Sequence, residues 1–369
     1  MYIKAITANK EFDSVKNEWI DFEKKVDNKN ITSSYLWQRT WWKHFGHIDN
    51  RQYGYDKKLS ILFLYNEKKE LRAIAPFCIV KRKFKKIFHY TIVEFITQQW
   101  GATYLDIISN KLSEGEYNFI FDWLKKNRKY DLIDLCYIPE FTSNFDLKSE
   151  DATVLSGCPE LEKLNYENIR KNYSRNTINN MKRSYNKILG NMIVFDKIYS
   201  HEIDDNLLCE IIKVSKTKLL DNKYSIYVDK IEEVFLKEIY NKMNFNCCGI
   251  YFNKKLVAYR INVIYNKRKY CFDAAFSREF RKYNLGILSV DFCIEDSCSK
   301  KLVYHCEGIG IDSYKLKFTK KVCKIYNVLY KGNTLKSGLI YKKRLSVNKH
   351  IENNFLKEMN EKIPQDKFN

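Results

Sequence analysis

Residues 270–307 read YCFDAAFSREFRKYNLGILSVDFCIEDSCSKKLVYHCE, and this stretch decides the fold of the chain. The apolar run that ends at Phe276 predicts a strand, and Ser277–Leu285 forms a basic loop. Gly286 opens a helix, and Leu302–Glu307 predicts a second strand. A strand, a helix and a strand in this order indicate a βαβ crossover with two parallel strands.

The loop between the first strand and the helix predicts an anion site. Arg278, Arg281 and Lys282 place positive charge directly before the helix N-terminus. Backbone N–H groups and the positive end of the helix dipole attract anions at that point. Gly286 would let a phosphate approach the backbone closely. We therefore expect a phosphorylated ligand here, and the alternative is a solvated basic loop.

The charge of the chain favours anionic partners but does not identify one. The formal net charge is +20 over 369 residues, which attracts nucleic acid, nucleotides, sugar nucleotides or anionic lipid headgroups. The cations are spread along the chain, so most of them are also consistent with an ordinary solvated surface. The length leaves room for two domains, or for one large domain.

The cysteines and the N-terminus indicate a cytoplasmic protein without a metal. The 11 cysteines include no CxxC pair, and no histidine lies at zinc-finger spacing, so we expect no metal site. Several of them lie among apolar residues, as free cysteines do in reducing compartments. The first residues lack the apolar region of a signal peptide, and no window is long and apolar enough to span a membrane.

The chain repeats one order of elements: helices, a β-meander, a helix and a strand. In the first half the periodicity predicts Glu11–Lys25, a helix from Ser34 to Gly46, Lys58–Tyr65, Leu71–Val80, Phe88–Ile96, Tyr117–Asn127 and Asp131–Ile138. In the second half it predicts Tyr166–Leu189, Asp204–Leu220, Asp229–Met243, Cys247–Phe252, Leu256–Tyr265, Lys269–Phe276, the crossover, and Val322–Tyr330. Asn253-Lys254 and Asn266-Lys267 predict hairpin turns.

This repetition predicts two tandem domains of mixed α/β (α+β, mixed-sheet) class. We expect residues 1–150 to form the first domain and residues 160–340 the second, with turn-rich residues 141–159 between them. Residues 341–369 are expected to form a helical or flexible tail. The first half lacks a basic loop before its crossover helix, so the ligand is expected in the second domain.

Four segments carry a resemblance to a known family: Ser34–Gly46, Asn168–Arg183, Phe272–Leu288 and Glu307–Phe318. Together they resemble the tandem acyltransferases of the GNAT superfamily. The pattern is more similar to the cellulose-biosynthesis (BioF-like) acetyltransferase branch, which is related to the Fem aminoacyl transferases. Two departures are that Arg281 lies five residues before Gly286 and that Cys306 stands where the family often has Asp.

The resemblance implies acetyl-CoA or another acyl-CoA as the co-substrate. The pantetheine arm is expected between the strands Lys269–Phe276 and Leu302–Glu307. The residues that the resemblance assigns to the cofactor are Arg278, Arg281, Lys282, Tyr283, Asn284, Leu285, Gly286 and Ile287.

Acyl transfer to an amine needs a group that accepts the proton of the amine and a group that protonates the leaving thiolate. The resemblance and the strand positions suggest Asp273, Glu307 and Asp312 as bases. Asp273 has a structural alternative, which is an ion pair with a cation such as Arg260. Tyr314 is the candidate proton donor, and its alternative role is packing.

The candidate acceptor-binding residues lie on two helices and in the late motif: Trp37, Trp41, Arg170, Arg175, Arg183 and Lys315. Each has a plain structural alternative. The tryptophans lie at helical spacing and are also expected in a core. The arginines are equally typical of a solvated basic helix. Lys315 could equally be an ordinary surface lysine.

Three functions compete at this point. The first is an acyl-CoA-dependent N-acyltransferase, transferring an acyl group other than an aminoacyl group. Its acceptor would be an amino sugar, free or lipid-linked, in bacterial surface-polysaccharide and cell-envelope biosynthesis, with possible contact to an anionic membrane. The second is a Fem-type transferase that uses aminoacyl-tRNA, the one case in which we expect nucleic acid as a partner. The third is a non-catalytic basic protein that binds nucleic acid.

Overall fold

The computed structural model of the chain describes residues 1–84, 87–142, 144–332 and 334–363. The chain divides into two compact units. The first contains Met1–Gly157 and Cys323–Asn369, and the second contains Cys158–Val322. Within the described ranges, no helix has the length and apolar character needed to cross a membrane.

The first unit begins with a strand and three helices: β1 (Tyr2–Ile6), α1 (Asn9–Ser14), α2 (Lys16–Lys25) and α3 (Tyr35–Phe45). An antiparallel meander follows, made of β2 (Tyr55–Tyr65), β3 (Leu71–Phe84) and β4 (Phe88–Phe95). The helix α4 (Glu114–Asn127) then connects β4 to a parallel strand, β5 (Leu132–Pro139).

The strand β6 (Ala152–Glu162) carries the chain into the second unit. Helices and an edge strand follow: α5 (Tyr166–Lys171), α6 (Arg175–Gly190), β7 (Phe195–Ser200), α7 (Asp205–Lys216) and α8 (Lys230–Lys242). The meander consists of β8 (Phe245–Phe252), β9 (Lys255–Tyr265) and β10 (Arg268–Phe276). The helix α9 (Leu285–Ser299) connects β10 to the parallel strand β11 (Tyr304–Cys306). The chain ends with β12 (Val322–Lys331) and α10 (Ser337–Lys362).

The two units share one plan. Neighbouring strands follow the order β1-β2-β3-β4-β5-β12 in the first unit and β6-β11-β10-β9-β8-β7 in the second. In each, a helix links two parallel strands, which are β4 and β5 in the first unit and β10 and β11 in the second. This arrangement confirms the predicted mixed α/β class and the repetition of one plan in tandem units.

The core of the second unit surrounds α9. Nine of the 15 residues of this helix are buried, and its apolar side chains pack with those of α5, α6, β8 and β9 in one cluster. A helix that is apolar on most sides belongs in a core rather than on a surface. Its N-terminus is therefore held in a fixed position beside the end of β10.

Both predicted hairpin turns are confirmed. Asn253 and Lys254 have positive φ angles of 49° and 67°, and Asn266 and Lys267 have 46° and 56°. Two successive residues with positive φ are the mark of a type I′ turn, which matches the twist of the strands on either side. The meander β8–β9–β10 therefore has tight connections.

Two predicted helices are interrupted in the structure. The helix expected over Glu11–Lys25 breaks at Val15, between α1 and α2. The helix expected over Tyr166–Leu189 breaks before Ser174, whose side chain accepts a hydrogen bond from the backbone N–H of Thr177 and starts α6. A serine within an apolar helical pattern thus acts as a cap, which periodicity alone does not show.

The strand pairing places the unit boundaries differently from the sequence expectation. Part of the segment expected as a linker, residues 141–159, belongs to β6. The late strand β12 was expected in the second domain, but it pairs with β5, for example Tyr326 with Ile138. The helix α10 covers most of the expected tail and packs Ile340 into a cluster with Leu329. Residues 364–369 of that tail lie outside the described residues.

Candidate functional site

A cavity of about 350 Å³ lies in the second unit, beside the predicted anion loop. Its wall combines the end of β10, the loop after it, the first turn of α9 and the segment that follows α7. Residues on this wall include Ala274, Phe276, Arg278, Arg281, Gly286 and Tyr314. Several of the residues proposed from the sequence are thus brought together around one space.

One side of the cavity is an unpaired edge of β10. The parallel pairing of β10 with β11 ends at the pair Tyr270–Cys306, while β10 continues to Phe276. Over its last residues β10 pairs with β9 alone, within the strands that the structure describes. Backbone groups on the other edge of this segment are therefore open to an extended ligand, which can bind as an added strand does. The small side chains Ala274 and Ala275 line the same place.

The first turn of α9 forms a second side of the cavity. Asn284 has a left-handed conformation with φ 51°, and its side chain accepts no capping hydrogen bond from the backbone N–H groups of the helix. Its amide group donates instead to Ser184 Oγ at 3.2 Å. A Cβ atom built on Gly286 would approach only the Phe276 ring, at 3.7 Å. The helix start therefore offers backbone N–H groups and positive dipole to a ligand, as the sequence predicted.

The predicted cations of the loop differ in how they are paired. The Nε atom of Arg278 lies 3.5 Å from Asp221 Oδ1, an exposed and weak ion pair. The Lys282 ammonium lies 5.2 Å from the centre of the Tyr283 ring. Among the described residues, no carboxylate forms an ion pair with Arg281 or Lys282. Their charge is therefore available to an anion.

Three of the predicted cofactor residues hold the loop in place by packing. Tyr283 is buried, and its ring meets that of Phe252 edge-on at 5.2 Å. Leu285 and Ile287 are buried in the cluster around α9, although both also reach the cavity wall. Their side chains therefore position the backbone groups of the loop.

Asp273 lies next to the cavity, and its carboxylate is already engaged. One oxygen accepts a hydrogen bond from Lys218 Nζ at 2.7 Å, and the other accepts one from the Tyr259 hydroxyl at 2.5 Å. The side chain is 7% exposed. The expected structural partner was Arg260, but the cation that pairs with it is Lys218, from the turn after α7. To act as a base, the Asp273 carboxylate would first have to lose its hydrogen bonds with Lys218 and Tyr259.

Glu307 forms a buried ion pair with Arg260. One carboxylate oxygen accepts from Nη2 of Arg260, and the other lies 2.7 Å from Nε2 of His305. Burial opposes ionisation, but the Arg260 guanidinium and the hydrogen bond from His305 outweigh it and lower the pKa of Glu307 to about 2. A carboxylate with so low a pKa is a poor proton acceptor at neutral pH.

Tyr314 is the predicted residue best placed for acid chemistry. It is half-buried on the cavity wall, and its hydroxyl has no hydrogen-bond partner among the described residues. Burial raises the pKa of this phenol, with Arg260 and Lys315 acting in the opposite direction. The hydroxyl is therefore protonated at neutral pH and able to donate into the cavity.

Asp312 and Lys315 lie beside Tyr314 and interact with each other. Lys315 Nζ is 3.3 Å from Asp312 Oδ2, and the Asp312 side chain is 58% exposed. The buried Lys315 ammonium also donates to three backbone carbonyls, those of Gly308, Ile309 and Gly310, at 3.3, 2.8 and 3.1 Å. Its donors are thus used within the loop, which differs from the expected contact with an acceptor.

Trp37 and Trp41 belong to the interior of the first unit. Both are fully buried, and Trp41 Nε1 donates to the carbonyl of Trp100 at 3.1 Å. The Trp41 ring packs against Phe45 and Tyr53. A fully buried ring has no face to offer an acceptor. These two tryptophans are therefore core residues, which was the alternative to acceptor binding.

The predicted basic residues of α5 and α6 are exposed. Arg170 and Arg175 lie on different helices, because the chain turns between them, and Arg183 lies two turns further along α6. The Arg170 guanidinium lies 5.8 Å from the centre of the Tyr166 ring. The surface is basic, as the sequence indicated, but none of these three arginines is among the residues that line the cavity.

Lys218 and Arg260 are among the residues of the cavity wall that were not proposed as site residues from the sequence. Lys218 follows α7 in the chain, and Arg260 lies on β9 within the apolar run LVAYRINVIY. A charged residue inside an otherwise apolar strand was the available signal for Arg260, because burial of a charge requires a partner or a function. Nothing local distinguishes Lys218 from the other lysines around it.

Comparisons with known proteins identify the fold. No family model matches the chain, and no curated protein sequence does. The solved structure of FemX is similar over 92% of this chain and all of its own, with a TM-score of 0.60 and 11% identity. A conserved protein of unknown function from Bacteroides thetaiotaomicron covers 89% of this chain and all of its own, with a TM-score of 0.53 and 11% identity. At such low identity the likeness concerns the fold alone.

Replacing Glu307 by glutamine should destabilise the protein at neutral pH, because the buried Arg260 loses its counter-charge. We expect a loss of roughly 3–5 kcal/mol in the free energy of unfolding. The pKa of Glu307 is lowered from 4.5 to about 2, so its stabilising effect is complete above pH 4.5 and disappears as the pH falls towards 2. The difference between wild type and E307Q should therefore shrink over that range.

Urea denaturation at pH 7 and pH 3 measures this difference. The exposed Glu279, which pairs with Lys255 on the surface, provides the control, and E279Q should change stability by less than about 0.5 kcal/mol. A difference between E307Q and wild type that is equal at both pH values would contradict the prediction.

Proposed function

We propose that the chain is an acyl-CoA-dependent N-acyltransferase whose acyl donor binds in the cavity of the second unit. One observation carries the proposal. The same cavity joins a basic, uncapped helix start, the unpaired edge of β10 and the Tyr314 hydroxyl. A donor of this class carries a pyrophosphate, an extended amide chain and a thioester, and each finds a matching group here.

The phosphate end is expected at the start of α9. Backbone N–H groups of the first turn, together with Arg281 and Lys282, supply donors and positive charge to a pyrophosphate. Because Gly286 carries no side chain, a phosphate oxygen can approach the backbone at this turn. Tyr283 and Leu285 hold this backbone through the core.

The amide arm is expected along β10. Its open edge beyond Tyr270 offers backbone hydrogen bonds, and the alanines at positions 274 and 275 leave room beside it. This matches the expectation that the arm lies where β10 and β11 separate.

The reaction forms a C–N bond between an amine and the acyl carbon and breaks the C–S bond of the thioester. Tyr314 would donate its hydroxyl proton to the leaving sulfur. Of the three predicted bases, Asp312 has an exposed carboxylate, although Lys315 pairs with it, while the carboxylates of Asp273 and Glu307 are buried in their ion pairs. Asp312 is therefore the preferred base, and the proton of the amine can also pass to water in the open cavity.

The acceptor is proposed to be an amino sugar or a similar precursor of a surface polysaccharide, handled in the cytoplasm. This rests on the resemblance to the cellulose-biosynthesis (BioF-like) branch. The exposed cations Arg170, Arg175 and Arg183 would suit a phosphorylated or lipid-linked acceptor. The donor would then be acetyl-CoA or another acyl-CoA, with an acyl group other than an aminoacyl group.

A second candidate is transfer of an aminoacyl group from tRNA. It is favoured by the likeness of the fold to FemX and by the basic surface of α5 and α6. The same cavity would then hold an ester in place of a thioester. Binding of coenzyme A separates the two candidates.

Replacing Gly286 by leucine should weaken binding of coenzyme A by roughly tenfold or more, because the new side chain would enter the cavity at the phosphate end. The fold should tolerate it, since a Cβ atom there makes only an ordinary contact with Phe276. Gly115, also the second residue of a helix and with open space around it, gives the matched control G115L. Calorimetry measures both affinities. An unchanged affinity in G286L would contradict the placement of the phosphate end.

A thiol-release assay tests the transfer itself. With acetyl-CoA and a panel of amino sugars, including nucleotide-linked ones, we expect thiol release that depends on the amino sugar. Protein heated beyond its unfolding transition is the control for spontaneous hydrolysis. Selective binding of charged tRNA, without binding of coenzyme A, would contradict the proposal and favour the second candidate.

Replacing Tyr314 by phenylalanine should lower kcat by roughly 10²–10⁴-fold, the usual contribution of a general acid, while the affinity for coenzyme A stays the same. The matched control is Y166F. The Tyr166 hydroxyl donates to Asp291 at 3.0 Å, and Tyr166 is not among the residues that line the cavity. Initial rates at saturating substrate measure the effect. A Y314F variant with the wild-type kcat would exclude Tyr314 as the acid.

A further inference from the structure

The guanidinium group of Arg260 lies on the wall of the cavity with most of its donors unused. Arg260 is 1% exposed and stands on β9, opposite Ala274 of β10. Its Nη2 atom donates to the Glu307 carboxylate and to Cys271 Sγ, the latter at 3.1 Å. The Nε atom has no hydrogen-bond partner, and Nη1 donates to none of the described residues. Three of its five N–H groups are thus unpaired.

The hydrogen bonds of Glu307 explain why these N–H groups of Arg260 remain unpaired. An arginine and a carboxylate often form two parallel hydrogen bonds, which would occupy two nitrogens of the guanidinium. Here the second oxygen of Glu307 is taken by His305, at 2.7 Å from Nε2. The carboxylate therefore meets Arg260 through one oxygen only. A buried donor without a partner is costly, so its presence beside a cavity points to a ligand atom.

A buried chain fixes the orientation of Glu307. Burial lowers the pKa of His305, so its imidazole is neutral. Its Nε2–H then donates to the ionised Glu307, and its Nδ1 lies 2.7 Å from Ser297 Oγ, which also donates to the backbone carbonyl of Cys293 at 2.8 Å. Ser297 lies on α9, and all three side chains are fully buried. The chain from α9 to Arg260 therefore holds the guanidinium rigidly against the cavity.

The charge of the pair indicates which kind of ligand atom fits. Glu307 cancels the charge of Arg260, so this end of the cavity offers directed N–H donors with little net positive charge. A phosphate is better served at the loop, where Arg281 and Lys282 form no ion pair with a described carboxylate. A neutral carbonyl oxygen, which gains negative charge only during the reaction, suits the donors of Arg260. Tyr314 lies at the same end, since Arg260 acts on its phenol electrostatically.

We propose that the Nη1 group of Arg260 binds the acyl carbonyl oxygen of the donor and stabilises the oxyanion that forms on it. This rests on the proposed function. When the amine attacks, the C–N bond forms and the π electron pair moves to the oxygen, facing Arg260. The pair then returns, the C–S bond breaks, and the sulfur leaves with the Tyr314 proton while the amine proton passes to Asp312 or to water. Glu307 is a positioning residue for Arg260.

Two variants remove the donors without leaving a lone buried charge. In R260K the ion pair with Glu307 is kept, but the fork of N–H groups is lost. In the double variant R260Q/E307Q both charges are removed together. We expect either variant to lower kcat by roughly 10²–10³-fold, the usual effect of losing an oxyanion donor, and to raise KM for the donor by no more than about tenfold. Circular dichroism and thermal unfolding establish that the variants are folded.

Binding of two unreactive analogues tests the carbonyl contact directly. One is acetonyl-dethia-CoA, a ketone in which a methylene group replaces the sulfur, and the other is S-ethyl-CoA, which has no carbonyl group. The wild type should bind the ketone roughly tenfold more tightly than the ethyl compound, and R260K should bind both about equally. With a ¹³C-labelled ketone, the infrared carbonyl band should move to lower wavenumber in the wild type and less so in R260K.

The outcomes separate this inference from the proposed function. If the wild type binds coenzyme A but shows no preference for the ketone, or if R260K keeps the preference and the band shift, Arg260 does not bind the carbonyl group. If the wild type binds neither coenzyme A nor the analogues, the proposed function is overturned, and this inference with it.

Discussion

The buried ammonium group of Lys315 holds the loop that separates β11 from β10. It donates to the carbonyls of three successive residues, Gly308, Ile309 and Gly310, and both glycines have positive φ angles, 78° and 100°. A Cβ atom on Gly308 would lie 2.8 Å from the carbonyl oxygen of Cys271. The chain can therefore follow β10 as far as Cys271 and must then turn away. The open edge of β10 is a consequence of this turn.

The same turn also determines where Glu307 and Tyr314 lie. The strand β11 ends at Cys306, so Glu307 directly after it lies in the core and pairs with Arg260. Tyr314, at the other end of the loop, lies on the cavity wall. The cavity therefore has a basic end at the start of α9 and a donor-rich end at Arg260 and Tyr314, where Glu307 balances the charge of Arg260. A ligand with a charged terminus and a neutral reactive group would bind in one orientation only, since exchanging its ends would place the charge against the neutral ion pair.

Features that depend on neighbouring residues could be predicted from the sequence, whereas contacts between distant segments could not. The basic loop, Gly286 and both hairpin turns depend on neighbouring residues, so they could be predicted directly. The partner of Asp273 could not, because Lys218 lies on a distant segment that folding brings beside β10. The same holds for Arg260 and Glu307, which lie on β9 and after β11. A sequence shows which residues are charged, but the sheet register shows which of them meet.

The two units differ where their crossover helices begin, and this difference explains why only the second was expected to bind an anion. In the first unit Ser113 accepts from the backbone N–H of Glu116, and the carboxylate of Glu116 returns a contact to the backbone of Ser113. Glu114 and Glu116 also place negative charge in the first turn of α4. That helix start is thus satisfied by its own side chains. In α9 no side chain caps the start, no acidic residue occupies the first turn, and the preceding loop is basic. Both units contain the same crossover, and the capping residues determine in which of them the helix start is left without a side-chain cap.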